Sequence, residues 1–565
     1  MTLQDQLRII RPIHPETASP GEVQALVDAV EELWRVNSAQ AARITELEAE
    51  LCRLKKLKPH GPRGGGEEKS GAAGQGKGSG SGSPRGDRSS ERERREGEVR
   101  RPWAKAPRAP IPIDAVVELT EPPPNMPDDV HRDGWAERTF QDLVLVRHNV
   151  QFRRAQWRSA STGKTYLAPL PAGYHGQYGP GLAVLAPTLV HSTNLGQRDL
   201  LRLCREYGLQ ISAGTISRKV TQGLEWLRSE FEAGIRTAWE LAGFRSTDHT
   251  QTKVAGKTHT TQVFEDPLCT AYCTLPGANR GAVIQGLRLG VPHEYRCDVR
   301  ALELMEQWGV PVTVRRRLAG FIIWPVEPEE FRRHLRLCFP RLSDKHWESV
   351  LAACALAATE AAPPFPLPHL LLTDAAAVFN DLVTRHGLCW VHEGRHYQEL
   401  SPVFDHYCRA LRRFRKRFWK YYRRLVAYRL APDAETARQL EVDFDRLFRT
   451  GTCYPDLAHC LALTRTRKDK LLLVLLHPEL PLHTNATELA VRRRVRRRDV
   501  SFQPQSQAGL RAWDLMQGLV ATLGKHGLTL REYLRDRTLG LGKIPPLPEV
   551  VRQTAARLAA SAWAT

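Results

Sequence analysis

The stretch HLLLTDAAAVFNDLV, residues 369–383, decides how this chain is read. Its apolar run is short and stops at Asp374, and a helical pattern follows, so 369–373 reads as a buried strand with a carboxylate at its carboxyl end. Open α/β sheets hold their ligands at that end of their strands. Upstream, FRSTDHTQT (244–252), GKTHTTQVFED (256–266) and PLCTAYCTLPG (267–277) are three β-prone runs separated by turn residues. They predict three adjacent antiparallel strands with Asp248 on the first, followed by a helix from Asn279. Downstream, HTNATELAVRRRVRRRDVSF (483–502) predicts a helix bearing Glu488, with Asn485 and Arg492 one turn away on the same face.

Two aspartates on neighbouring strands and a glutamate on a facing helix make the metal cage of an RNase H-like nuclease fold. The residue types fit the chemistry. Hard Mg²⁺ takes oxygen ligands, and two such ions roughly 3.5–4 Å apart can activate an attacking oxygen and stabilise a leaving one in an in-line displacement. Asp248, Asp374 and Glu488 are therefore the candidate catalytic and metal-binding residues, with no covalent nucleophile required.

The rest of the chain suits an anionic partner. Its 565 residues exceed a single core, and 82 Lys+Arg against 62 Asp+Glu give a net charge of +20. Apolar runs such as 471–476 fall short of the roughly 20 residues of a spanning helix, which leaves nucleic acid rather than membrane. With no cleavable leader pattern and eleven scattered cysteines, the expected compartment is the cytoplasm, in association with the nucleoid.

The fold class expected is multidomain α/β, in six parts. Leu26, Val30, Leu33, Asn37, Gln40, Ile44, Leu47, Leu51 and Leu54 keep a heptad rhythm, predicting a coiled coil over 1–57 and a homodimer; a single packed amphipathic helix is the alternative. Residues 58–110 are Gly-, Ser- and charge-rich and read as a flexible linker. Short apolar segments between Pro and Gly turns predict a small β-rich module over 111–190. Over 191–240, one helix ends near Gly208 and Ser212 caps a second, a helix-turn-helix pattern that offers Thr215, Ser217, Arg218 and Lys219 to DNA. The RNase H-like domain is expected over 241–540, with a helical insertion at about 398–476, and a tail over 541–565. In that insertion, RALRRFRKRFWKYYRRLVAYR (409–429) interleaves cations with aromatics, proposing Arg412, Arg413, Arg415 and Lys416 for phosphates and Trp419 for stacking. Of the six arginines over 492–498, Arg492, Arg496 and Arg497 are candidates to grip DNA beside Glu488.

Over about 111–537 the chain resembles the DDE transposases of IS66-type bacterial insertion sequences. The segments that carry the resemblance are GKTYLAPLPAGYHGQYGPG (163–181), ISAGTIS (211–217), TDHTQTKVAGK (247–257), PLCTAYCT (267–274), TDAAAVF (373–379), CWVHEGRHY (389–397) and HPELPLHTNATELAVRRRVRRRDVSF (477–502). The resemblance implies that Asp248, Asp374 and Glu488 are the three acids in order, serving Mg²⁺ with Mn²⁺ able to substitute. It further implies that His392, Arg395 and His396 contact DNA, and that accessory proteins of the same element are possible partners. Members often carry an acid where His249 stands and a second aspartate where Ala375 stands. They also often carry a cysteine-bearing zinc finger where this chain has linker, and Cys389 with His392 lacks a second pair, so no zinc is expected. The function implied is strand cleavage at element ends followed by 3′-hydroxyl transfer into target DNA. The alternatives are a domesticated or decayed DNA-binding protein and a simple metal-dependent nuclease on the same fold.

Overall fold

Thr, Val and aromatic residues dominate 245–275, and alternate side chains find cover on both faces, so the three β-prone runs form a continuous meander. The computed structural model describes residues 113–121, 135–143, 145–320, 323–326 and 328–562, with six isolated helical positions between 21 and 39. The coiled coil expected over 1–57 and the linker over 58–110 otherwise lie outside the described residues. Two compact units are present: the larger draws on Glu98–Val391, Arg429–Pro432 and Asp469–Thr565, the smaller on His392–Tyr428 and Asp433–Lys468.

In the larger unit, a two-stranded hairpin, β1 (Gln156–Arg158) and β2 (Thr165–Leu167), precedes helices α1 (Pro180–Ser192), α2 (Gln197–Glu206), α3 (Ala213–Val220) and α4 (Arg228–Leu241). The meander follows as β3 (Arg245–Val254), β4 (Lys257–Glu265) and β5 (Thr270–Leu275). Next come α5 (Arg280–Leu287), β6 (Tyr295–Cys297), α6 (Val299–Gln307), α7 (Val312–Ala319), β7 (Ile323–Val326), α8 (Pro328–Cys338) and α9 (Asp344–Ala361). Strands β8 (Leu370–Thr373) and β9 (Arg385–Leu388) complete a mixed five-stranded sheet of order β5-β4-β3-β8-β9. β4 runs antiparallel to both β3 and β5, whereas β8 runs parallel to β3 and to β9.

The smaller unit follows α10 (Trp390–Gln398) with α11 (Asp405–Leu430), α12 (Ala434–Phe448) and α13 (Pro455–Thr466). After a short α14 (Lys468–Leu471), the larger unit resumes with α15 (Asn485–Ser501), α16 (Gln507–Lys525), α17 (Leu530–Leu539) and α18 (Leu547–Ala562). The sheet is covered on both faces. Val263 and Tyr272 pack on Ala490 of α15, while Phe264, Ala271 and Cys273 point the other way into a core with α4, α16, α17 and α18.

Three expectations need correction. The β-rich module over 111–190 contains, among the described residues, one hairpin of three-residue strands, and α1 begins at Pro180. Among the described residues its apolar segments stay uncovered: Val116, Val117, Leu119, Phe140 and Val146 are all exposed. The tail over 541–565 is helix α18 in its larger part, with Leu547 and Val551 fully buried against α4. Asp374 is followed by a single 3-10 turn, Ala377–Phe379, rather than a helix.

An element the sequence pattern did not disclose is the insertion between β5 and β8. Residues 280–361 build a core of their own from Tyr295, Leu304, Trp308, Phe331 and Leu356, onto which Phe379 and Leu382 of the post-Asp374 loop are packed.

Candidate active site and nucleic-acid interface

The site begins with strand register. In β3–β4–β5, Asp248 lies opposite Val263, which lies opposite Tyr272. Directly opposed residues share a face, and Val263 and Tyr272 pack on α15, so Asp248 points to the α15 side. The same alternation sends His249 to the other face, where its ring lies 5.9 Å from that of Phe379. His249 therefore lies on the opposite face of the sheet from Asp248.

Strand β8 pairs with β3 through Arg245↔Leu371 and Ser246↔Leu372. Two steps further along both chains stand Asp248 and Asp374, level on adjacent parallel strands, Asp374 immediately past the end of β8. Its carboxylate accepts from the backbone N–H of Ala376 at 3.0 Å, which closes the loop tightly over the strand end. Further along, Trp308 donates its indole N–H to Asp381 at 3.2 Å and Arg280 donates to the carbonyl of Ala377 at 2.9 Å. The insertion thus clamps the loop that begins at Asp374.

The third acid arrives on α15. Thr487 is fully buried and shares a 2.6 Å hydrogen bond with Ser246, two residues before Asp248 on the same face. Tyr272 donates to the carbonyl of Ala490 at 2.8 Å. These two ties lay the first turns of α15 across the Asp248 face, with Glu488 between them and 4.0 Å from the Arg492 guanidinium. All three acids are half-buried and all offer oxygen donors, the set a hard divalent cation takes. Among the described residues no three His, Cys, Asp or Glu side chains are gathered closely enough to hold a metal ion.

Residues 361–512 match the family described as Transposase IS66 family. This chain resembles IS66-type transposases. The matched span takes in Asp374 and Glu488 and begins after Asp248. An uncharacterized protein of Sinorhizobium fredii (strain NBRC 101917 / NGR234), y4jO, is 39% identical over 189 residues, 32% of this chain and 59% of that protein. The chain thus spans about three fifths of the length of the curated relative it matches. No helix among the described residues is long and apolar enough to cross a membrane.

Around this IS66-like core, the candidate DNA contacts divide by burial. Over 191–240, α2 and α3 pack with α1 through Leu200, Cys204, Ile211, Ile216 and Val220, and Ser212 caps α3 by accepting from Thr215 N–H. Arg218 is exposed and Ser217 half-exposed, but the Thr215 hydroxyl is bonded to Ser212 and Lys219 lies over the Tyr178 ring.

On α15, Arg492 and Arg496 are exposed, whereas Arg497 is buried and donates to the carbonyl of Val190. Burial depresses the Arg497 pKa to about 10, with the neighbouring Arg494 charge adding to the shift. Its neighbour Arg494 is also buried, paired with Asp514 and close to Tyr272 and Trp513. Arg497 is therefore a tie between α15 and α1 rather than a phosphate contact. Arginines in series give no sign of which turn inward; the apolar spacing around them is too sparse to set the phase.

In the smaller unit, Phe414, Phe418, Trp419, Tyr421 and Tyr422 are all buried, so they form the helical core instead of a stacking platform. Trp419 packs so closely on Gly394 that a Cβ there would stand 2.9 Å from its ring. Recurrence near every fourth residue is the signature of an inward stripe, and that spacing outweighs the cations between. Arg412, Arg413 and Lys416 are exposed and Arg415 is half-exposed. Arg412, Arg415, Lys416 and Arg423 line a cavity of about 570 Å³, with Leu411 and the edge of Trp419. His392 accepts from Arg395 at 2.9 Å, and the next residue, Glu393, is buried and paired with Arg467 at 2.9 Å. His396 is exposed.

Proposed function

We propose that this chain is a metal-dependent DNA transposase with an RNase H-like core. The observation that carries the reading is the placement of the three acids on one side of the sheet: Asp248 and Asp374 each stand two residues beyond the paired Ser246 and Leu372, and Glu488 follows Thr487, whose hydroxyl is bonded to Ser246. The match of 361–512 to the IS66 family supports it, since two of the three acids fall in that span. Mg²⁺ held by the three carboxylates would activate the attacking oxygen and neutralise the leaving one. Arg492 and Arg496 extend from Glu488 along the exposed side of α15 and are placed to hold the phosphates that flank the scissile bond. Arg218 on α3 and the cationic cavity of α11 supply further grip on the DNA. In this reading water attacks the phosphorus at the element end and the P–O3′ bond breaks, leaving a 3′-hydroxyl and a 5′-phosphate; that hydroxyl then attacks a target phosphodiester, whose own 3′-oxygen leaves. The heptads over 1–57 pair two protomers and so two ends.

The test is cleavage of labelled end DNA and supercoiled plasmid with Mg²⁺ or Mn²⁺. Wild type nicks both, and Asp248→Asn, Asp374→Asn and Glu488→Gln each lower the rate at least about 10²-fold with DNA binding retained. Binding without cleavage under either metal would sink the catalytic reading and leave a DNA-binding protein. Cleavage without joining of a pre-cut 3′-hydroxyl end would reduce it to a nuclease.

A further inference from the structure

We propose that the 280–361 insertion carries its own grip on duplex DNA, a groove where guanidinium groups stacked on aromatic rings receive backbone phosphates. A cavity of about 420 Å³ is lined by Arg336, Phe339, Pro340, Leu342, Asp344 and Trp347. The Arg317 guanidinium carbon lies 5.4 Å from the Phe339 ring centroid, and that of Arg336 lies 5.6 Å from Trp347. Such contacts orient a guanidinium and leave N–H donors available to a phosphate. Some other cations of the insertion are committed to acids, Arg296 to Asp298, Arg300 to Glu360 and Arg315 to Glu306, whereas among the described residues exposed Arg316 and Arg333 are not. Among the described residues, Arg317 and Arg336 make no such pair, and neither do exposed Arg341 and Lys345, which adjoin lining residues in sequence. Asp344, the one acid in the lining, sits in the first turn of α9, where the helix N-terminus compensates its charge.

The ligand class follows from what the rings do. Phe339 and Trp347 are engaged by the protein's own arginines, so the groove favours charge recognition over the open stacking platform that unpaired bases need. What remains is phosphate charge, the sequence-independent part of duplex recognition. The position adds a role. Phe339, Leu342 and Trp347 pack against the same core as Val378, Phe379 and Leu382, so a duplex held here is held by the body that clamps the Asp374 loop.

This inference rests on the DNA-acting reading, and the test separates the two. Full-length protein is titrated into a labelled 30-base-pair duplex of arbitrary sequence without divalent metal, from 50 to 300 mM KCl, following anisotropy. Arg317→Ala/Arg336→Ala is expected to weaken binding about 5-fold at 100 mM and to shallow the salt slope by about 1.8, the loss of two phosphate contacts. Arg317→Lys/Arg336→Lys keeps the charge and is expected to keep the slope, which guards against an unfolded alanine variant. Unchanged affinity and slope in a folded alanine variant overturn the groove while leaving the DNA-acting reading intact. A wild type that binds no DNA overturns both. A larger loss on single-stranded DNA than on duplex, or stronger competition by polyglutamate than by duplex, overturns the ligand assigned here.

Discussion

At the scale of single residues, the arginines of α15 separate two duties that composition merges. Arg494 is fully buried, and Asp514 beside it also accepts from the Thr274 N–H at 2.9 Å and its hydroxyl at 2.8 Å. Removing Arg494 leaves that carboxylate without its cation, so Arg494→Ala is expected to destabilise by about 3 kcal/mol, measured by urea unfolding. Arg492→Ala, at an exposed site, is expected to leave the urea midpoint in place and weaken DNA binding. A common loss of stability in both would refute the division. The positions of two candidate acids were legible because a local pattern marks them: Asp374 at the close of an apolar run, Glu488 in a helix's first turn. Arg494 and Arg497 were not distinguishable from their neighbours, since the signal that turns them inward comes from Asp514 and Val190, 20 and 307 residues away.

At the scale of elements, helix phase and close approach decide whether the site survives. Buried Arg494 and Arg497 fix the rotation of α15, and Thr487 holds its first turn to Ser246. One residue inserted between Glu488 and Arg494 would turn the two ends by about 100° relative to each other. Such an insertion is expected to abolish cleavage while circular dichroism still reports helix; retained cleavage would show that the acid does not depend on this phase. Helix α18 depends on Gly234 in a similar way, because a Cβ at that position would meet Leu547 at 2.7 Å. Gly234→Val is expected to cost about 1–3 kcal/mol by overpacking, read as a lower melting temperature. The meander, the two helices either side of Gly208 and the helices over 405–466 were readable because their periods and caps are local. The 280–361 insertion was not, because its short strands β6 and β7 pair across 26 residues or more, and a pattern of three or four residues carries too little period to be seen. Helix α18 reads as a tail for a related reason: its buried stripe faces α4, more than 300 residues earlier.

At the scale of the whole molecule, three buried histidines contribute to the response to acid. Burial, with Arg497 nearby, lowers the His191 pKa to about 3; burial, with Lys470 nearby, lowers His386 to about 3; burial, with Arg288 nearby, lowers His293 to about 4. All three are neutral in the fold and begin to take up protons near pH 6.5 once unfolded. Their contribution to stability is complete above pH 6.5 and is lost as the pH falls from 6.5 towards 4 and below. Stability against urea is expected to fall across that window, and His191→Gln to flatten the slope by about one proton. An unchanged slope would place the acid sensitivity elsewhere. The hydrogen bond between Ser246 and Thr487 joins residues 241 positions apart, and it has a consequence in time. At roughly 5–20 residues per second of synthesis, about 10–50 s pass between the emergence of the first acid and that of the third. For that interval the nascent chain already contains the helices of the 180–220 trio but not a complete set of acids. Under the proposed function, a translation product that ends between the first acid and the third would carry the DNA-binding helices without all three acids, and would bind DNA without cleaving it.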